Sequence, residues 1–151
     1  MPLVTRSMKP SDSGSIAECS RHTHTSRVRV RYGETDAMGR VYYANYFYYF
    51  EVGRSDLIRS VWKSYRQMEE EGLILPVVEA ACKYVRGARY EDEIDVHSIL
   101  SMPSRFRLRF DYEVRHAESR ELLARGHTEH CFIDEAGKPM RIPGDLREAL
   151  A

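Results

Sequence analysis

At 151 residues, 42% hydrophobic and 30% charged, the chain is long enough for one domain with a packed core and ordinary for a globular protein. Lys plus Arg equals Asp plus Glu at 23 each, so the formal net charge is zero, which argues against nucleic acid as a partner because a phosphate backbone demands a basic excess or patch. No run approaches the roughly twenty apolar residues of a membrane span. Cys19, Cys82 and Cys131 stand far apart without a C-x-x-C pair, against a disulfide framework or a thiolate zinc site, so a reducing cytoplasm is the expected location.

Residues 1–25 mix Ser, Pro, Lys, Asp and Gly without periodicity and read as a loose leader, with His22 and His24 solvated because no further ligand completes a metal set. The domain is expected over 26–151. Arg27-Val28-Arg29-Val30-Arg31-Tyr32 alternates basic and apolar residues, a half-buried strand with Val28, Val30 and Tyr32 inward and three arginines on a solvated face. Next comes Gly33-Glu34-Thr35-Asp36-Ala37-Met38-Gly39-Arg40-Val41-Tyr42-Tyr43-Ala44-Asn45-Tyr46, a glycine-bearing turn that sets a carboxylate just before a helix start, where backbone N–H groups lack intrahelical acceptors. Tyr46, Phe50, Gly53, Leu57 and Val61 then recur at helical spacing, predicting a helix from about Asn45 to Trp62. Glycine inside a helix costs about 1 kcal/mol against alanine, so the helix is expected to lie close against a neighbouring backbone at Gly53.

Ser64 to Glu71 reads as a short second helix ended by Gly72 in a left-handed conformation. Four strands follow, over Leu75 to Val85, Ile94 to Met102, Phe106 to Val114 and Leu122 to Ile133, and a short helix closes the chain from Pro143. One strand, one long helix, then four strands joined mostly by short turns indicates an α+β domain, an antiparallel sheet with a dominant helix on its face.

The residues from Tyr32 to Tyr46 resemble the active-site signature of the hot-dog-fold acyl-CoA thioesterases, in particular the 4-hydroxybenzoyl-CoA thioesterase family and its YbgC-like branch. The fixed points are Thr35-Asp36 ahead of a small residue and Gly39, the apolar-aromatic run after them, and Ala44-Asn45-Tyr46 opening the helix; Tyr90 and Asp92 are similar to the family's acidic turn. The resemblance implies a five-stranded antiparallel sheet wrapped around one long central helix. It implies homo-oligomers, either dimers or tetramers (homotetramers built as dimers of dimers), with active sites at the protomer interface. It further implies hydrolysis of an acyl-CoA to free acid and CoA with no metal or cofactor, Asp36 as nucleophile or general base, and the Tyr43 N–H at the helix N-terminus polarising the carbonyl.

By spacing alone Asp36 reads as a turn or capping aspartate, and Glu34 competes for the carboxylate role if the stretch is extended. Gly39, Val41, Tyr42, Tyr46 and Phe47 are expected at the substrate, the aromatic residues sharing that duty with core packing. Lys83, Arg86 and Arg89 lie near strand ends and are candidates for the CoA phosphates, with solvated charge the equal alternative. A thioesterase acting on an acyl carrier protein, and a non-catalytic acyl-thioester-binding module, are the competing functions. Elsewhere, His127 and His130 fall on opposite faces of a strand and do not share a metal, and no G-x-S-x-G elbow, P-loop or G-x-G-x-x-G occurs. Cys82 and Cys131 read as buried hydrophobes.

Overall fold

The computed structural model describes residues 22–151, so the expected leader up to position 21 lies outside the described residues. Strand β1 spans Thr23–Arg29, and after a 3-10 turn at Tyr32–Glu34 the long helix α1 runs over Asn45–Val61. Then come α2 (Tyr65–Glu70), β2 (Val77–Tyr84), β3 (Glu93–Ser101), β4 (Leu108–His116), β5 (Leu122–His130) and α3 (Gly144–Leu150). The five strands form one antiparallel sheet in the order β1-β3-β4-β5-β2, the α+β arrangement expected from the element order. Among the described residues no helix is long and apolar enough to cross a membrane.

The sheet and helix meet through two different periods. Alternate residues of β3 and β4 face inward, so Ile94, Val96, Leu100, Leu108, Phe110, Tyr112 and Val114 are buried. Helix α1 answers with Tyr46, Tyr49, Phe50, Gly53, Leu57 and Ile58 at spacings of three and four. The Phe50 ring stacks on Tyr112 with centroids 4.3 Å apart and planes 5° from parallel. Two glycines allow this approach: a β-carbon on Gly53 would collide with Ser98 and Val96 of β3, and one on Gly126 with the Ala81 carbonyl and the Phe50 ring.

Strand ends depart from the alternation. Tyr32 is 78% exposed, because β1 ends at Arg29 and the chain has already turned. At the other end, β1 starts at Thr23, so His24 belongs to the sheet opposite Ser98, and the His22 carbonyl accepts the Leu100 N–H at 2.9 Å. Phe106 stays outside β4 and is exposed. The outward arginines are paired across strands: Arg27 with Asp95 at 2.9 Å, Arg29 with Glu93, while Arg120 reaches the other Asp95 oxygen at 2.7 Å.

One polar chain is buried under α1. His130, 1% exposed, meets Thr128 Oγ1 through Nε2 at 2.8 Å, and Thr128 meets the Tyr112 hydroxyl at 2.6 Å. Burial, reinforced by the Arg54 charge, pushes the His130 imidazole down from 6.5 to about 4. A group that stays neutral when folded but protonates near its ordinary value when unfolded contributes stability that is complete above about pH 6.5 and lost as pH falls toward 4, by at most about 3 kcal/mol. Denaturant titrations should therefore show a loss of stability over that window, and His130→Gln should flatten it; an unchanged slope would assign the loss to other groups. Gly53→Ala should lower Tm by several degrees, because overpacking against β3, at about 1–3 kcal/mol, outweighs the gain of about 1 kcal/mol in helix propensity. A raised Tm in calorimetry would show that β3 yields.

Candidate active site

The segment between β1 and α1 is closed by its own main chain. Thr35 bridges Val41, the Asp36 N–H donates to the Arg40 carbonyl at 2.8 Å, and the Gly39 N–H donates to the Asp36 carbonyl at 3.0 Å. Gly39 sits at φ 73, where a side chain would crowd the following carbonyl, so glycine is what lets the turn double back. The Val41 N–H then reaches the Ala88 carbonyl at 2.9 Å, seating the turn on the connection between β2 and β3.

The half-buried Asp36 carboxylate divides its duties. Its Oδ1 accepts the Met38 N–H at 2.9 Å and the Arg40 N–H at 3.3 Å, while Oδ2 accepts nothing among the described residues. One oxygen holds the side chain in place and the other is open. Just beyond, the N–H groups of Tyr43 and Ala44 precede the first helical residue and have no acceptor among the described residues. Such donors, with the helix dipole behind them, favour a negative oxygen. Tyr43 is held from its other side, where its carbonyl accepts the Tyr84 hydroxyl at 2.9 Å. The Tyr84 phenol, pushed up to about 12 by burial and by the Cys82 thiol, stays a donor. Donors of this kind can stabilise the negative charge that gathers on a carbonyl oxygen during acyl transfer.

The sequence profile of the Thioesterase-like superfamily matches residues 30–150. The chain belongs to this superfamily. An Aquifex aeolicus protein provisionally named an esterase is 37% identical over 124 residues, covering 82% of this chain and 94% of the relative. The Haemophilus influenzae acyl-CoA thioesterase YbgC is 28% identical over 125 residues, covering 82% and 90%. The solved structure of a Staphylococcus aureus DHNA-CoA thioesterase superposes with a TM-score of 0.80 at 34% identity, over 84% of this chain and 87% of the other. The hot-dog fold and the thioesterase resemblance read from the sequence are thus borne out, and the chain is a thioester hydrolase by family.

Within this member of the superfamily, the residues expected at the substrate separate. Tyr42 and Tyr43 are exposed beside the turn with ring centroids 4.7 Å apart, and Phe47 is half-buried edge-on to Phe50. Val41 and Tyr46 lie inward: at 5% and 2% exposure they pack in the core, Tyr46 accepting the Ala88 N–H on its hydroxyl at 3.3 Å. Their inward positions place them in the packing between helix and sheet. Lys83 lies apart from Arg86 and Arg89, since alternate strand residues take opposite faces and it falls on the outer face of β2 beside Glu113 and Arg125. Arg86 and Arg89 do line one groove, where Arg86 is already paired with Glu121 at 2.8 Å.

Arg40 was missed by the sequence reading. Its side chain lies across Gly87, where a β-carbon would meet its methylenes, and it lines the same groove; its place directly after Gly39 was the signal available. Glu34 is no competing base, because both its carboxylate oxygens are occupied by Arg31 and Tyr49. Burial pushes the Cys82 thiol up, which suits a packing residue and not a nucleophile. Gly39→Ala would place a side chain at a strained φ, at a cost of about 1–2 kcal/mol. It should also displace Oδ2 from the N–H donors, so thioester turnover per folded enzyme should fall by about tenfold or more. Full activity in that variant would show that the turn geometry is not critical.

Proposed function

We propose that the chain hydrolyses an acyl-CoA to the free acid and CoA, with Asp36 Oδ2 as the reacting oxygen and the Tyr43 N–H, assisted by that of Ala44, polarising the thioester carbonyl. The observation that carries this is one unengaged carboxylate oxygen, on Asp36, and two unengaged N–H groups, of Tyr43 and Ala44, in the same short segment ahead of α1. Two routes fit. Oδ2 attacks the carbonyl carbon, expels the CoA thiolate and forms a mixed anhydride that water then opens, or it takes a proton from water as that water attacks. In both, negative charge gathers on the carbonyl oxygen, and losing a donor for such charge costs about 3 kcal/mol.

Supporting features lie around this centre. The CoA phosphates are assigned to Arg89 and Arg40, neither of which forms an ion pair among the described residues, with Arg86 completing the groove. Exposed Tyr42 and Tyr43, with Tyr84 edge-on to Tyr43, suit an aromatic acyl group, the class acted on by the Staphylococcus aureus relative according to its name. Strand β2 is an edge strand exposed along nearly all its length, including Val77 and Val78. An uncovered apolar edge invites strand pairing, so a second copy joining there gives the dimer, alone or doubled into a tetramer. A cytoplasmic location belongs to the same reading and accords with the free thiols of Cys82 and Cys131.

The test is thiol release from a panel of aliphatic and aromatic acyl-CoAs, with one acyl group also presented on an acyl carrier protein. Wild type should turn over at least one CoA ester in preference to its carrier-protein counterpart, and Asp36→Asn should lose about 10²–10⁴-fold in kcat. Undiminished turnover in Asp36→Asn would remove Asp36 from the chemistry. Tight binding without thiol release would instead identify a non-catalytic module.

A further inference from the structure

Every polar atom of Glu34 is engaged. Its N–H donates to the Arg31 carbonyl at 3.0 Å, and its own carbonyl accepts the Tyr42 N–H and the Asn45 side-chain amide, both at 2.8 Å. Carboxylate Oε1 accepts the Arg31 N–H at 2.9 Å and the Tyr49 hydroxyl at 3.0 Å; Oε2 accepts Arg31 Nε and Nη2, each at 3.1 Å. All four bonds to the carboxylate come from donors, so an amide at this position would turn an N–H toward one of them.

These partners surround the catalytic turn. Tyr42 and Asn45 bracket Tyr43 and Ala44, whose N–H groups are open, and Tyr49 lies one helical turn deeper in α1 at 2% exposure. Burial and the neighbouring Glu34 carboxylate push the Tyr49 phenol up, keeping it a donor. The Tyr49 ring stands edge-on to Tyr46 at 5.7 Å, Tyr46 accepts the Ala88 N–H, and the Ala88 carbonyl accepts the Val41 N–H at the far end of the Asp36 turn. The path is closed: it leaves the chain ahead of Asp36, runs down the first turns of α1, and returns behind Asp36.

We propose that Glu34 is a positioning residue, a strut between the Asp36 turn and the first turns of α1 that holds Asp36 Oδ2 at one spacing from the N–H donors of Tyr43 and Ala44. The proposal rests on the reading of Asp36 as the reacting group. It matters because acyl transfer needs nucleophile and oxyanion donors at a fixed separation, and displacements of about 1 Å cost up to 10²-fold in rate.

Two variants of the full chain test it. Tyr49→Phe keeps the ring and deletes one donor; Glu34→Gln keeps the shape and turns one oxygen into a donor. In each, kcat should fall about tenfold while KM stays within about twofold, because lost alignment is felt in the transition state more than in binding. The double variant should fall no further than the worse single one, as for two ends of one interaction. Hydrogen–deuterium exchange over 36–44 should quicken in both variants, a readout that needs no substrate. The strut is overturned if kcat per folded enzyme is unchanged in both, if the two losses multiply, or if exchange over 36–44 does not change; a drop in Tm alone is what a merely structural role would give. Should wild type release no thiol, the hydrolase reading fails separately, and unchanged or quickened exchange still decides against or for the strut.

Discussion

How closely α1 can lie on the sheet governs the rest of the molecule. A helix presents a stripe every 3.6 residues and a strand a face every second residue, so the two surfaces mesh only where side chains make room. Gly53 above Val96 and Ser98, and Gly126 beneath Phe50, make that room. The helix penalty of glycine, about 1 kcal/mol, is small beside the burial of Leu57, Ile58 and Phe50, each contributing about 1.5–3 kcal/mol. With its axis set by this contact, α1 brings its first residues over the β2–β3 connection, where Ala88 takes the Val41 N–H and gives its own N–H to Tyr46. Helix N-termini are common; this one is aimed, because packing deep in the fold determines where it ends.

Charge is distributed to a similar effect. On the outer face of the sheet Asp95 is shared by Arg27 and Arg120, and Arg109 lies between Asp111 and Glu129. Exposed pairs of this kind contribute only about 0–1 kcal/mol each, so their importance is not chiefly to stability. They balance charge locally between neighbouring strands. Arg40 and Arg89, which form no ion pair among the described residues, line one groove beside Gly87. The location of unbalanced charge, and not its total, marks where an anion would be attracted.

What could be read from the sequence was what is local along the chain. The helix expected from Asn45 to Trp62 is found over Asn45–Val61, and Gly53 makes the close approach that its cost implied. Alternation misled at Tyr32 because a period of two persists in residues that have left the sheet, and pairing with β3 stops where nothing in β1 announces it. Thr23 to Thr25 have no apolar residue to signal a strand, yet they pair with β3 through the main chain, which needs none. The turn that carries Asp36, Gly39 and Tyr43 could be read as a turn because it is built from consecutive residues. The inward packing of Val41 and Tyr46 could not be read, because position in a motif does not say which side of the chain faces the core. The bond from Glu34 to Tyr49 and the contact of Arg40 with Gly87 join separate segments and leave no periodic trace.

The two roles offered for Asp36, turn former and reacting group, are complementary. A carboxylate with both oxygens bonded to main-chain N–H groups would have no open atom to meet a substrate, and one with neither bonded would rotate freely and lose alignment. Here the Met38 and Arg40 N–H groups converge on Oδ1 and stop that rotation, leaving Oδ2 without a partner among the described residues. The Met38 and Arg40 N–H groups can converge because the chain between them passes through the left-handed conformation at Gly39. The glycine therefore serves the carboxylate, and the asymmetry it creates between two chemically identical oxygens leaves one bonded to the main chain and the other open.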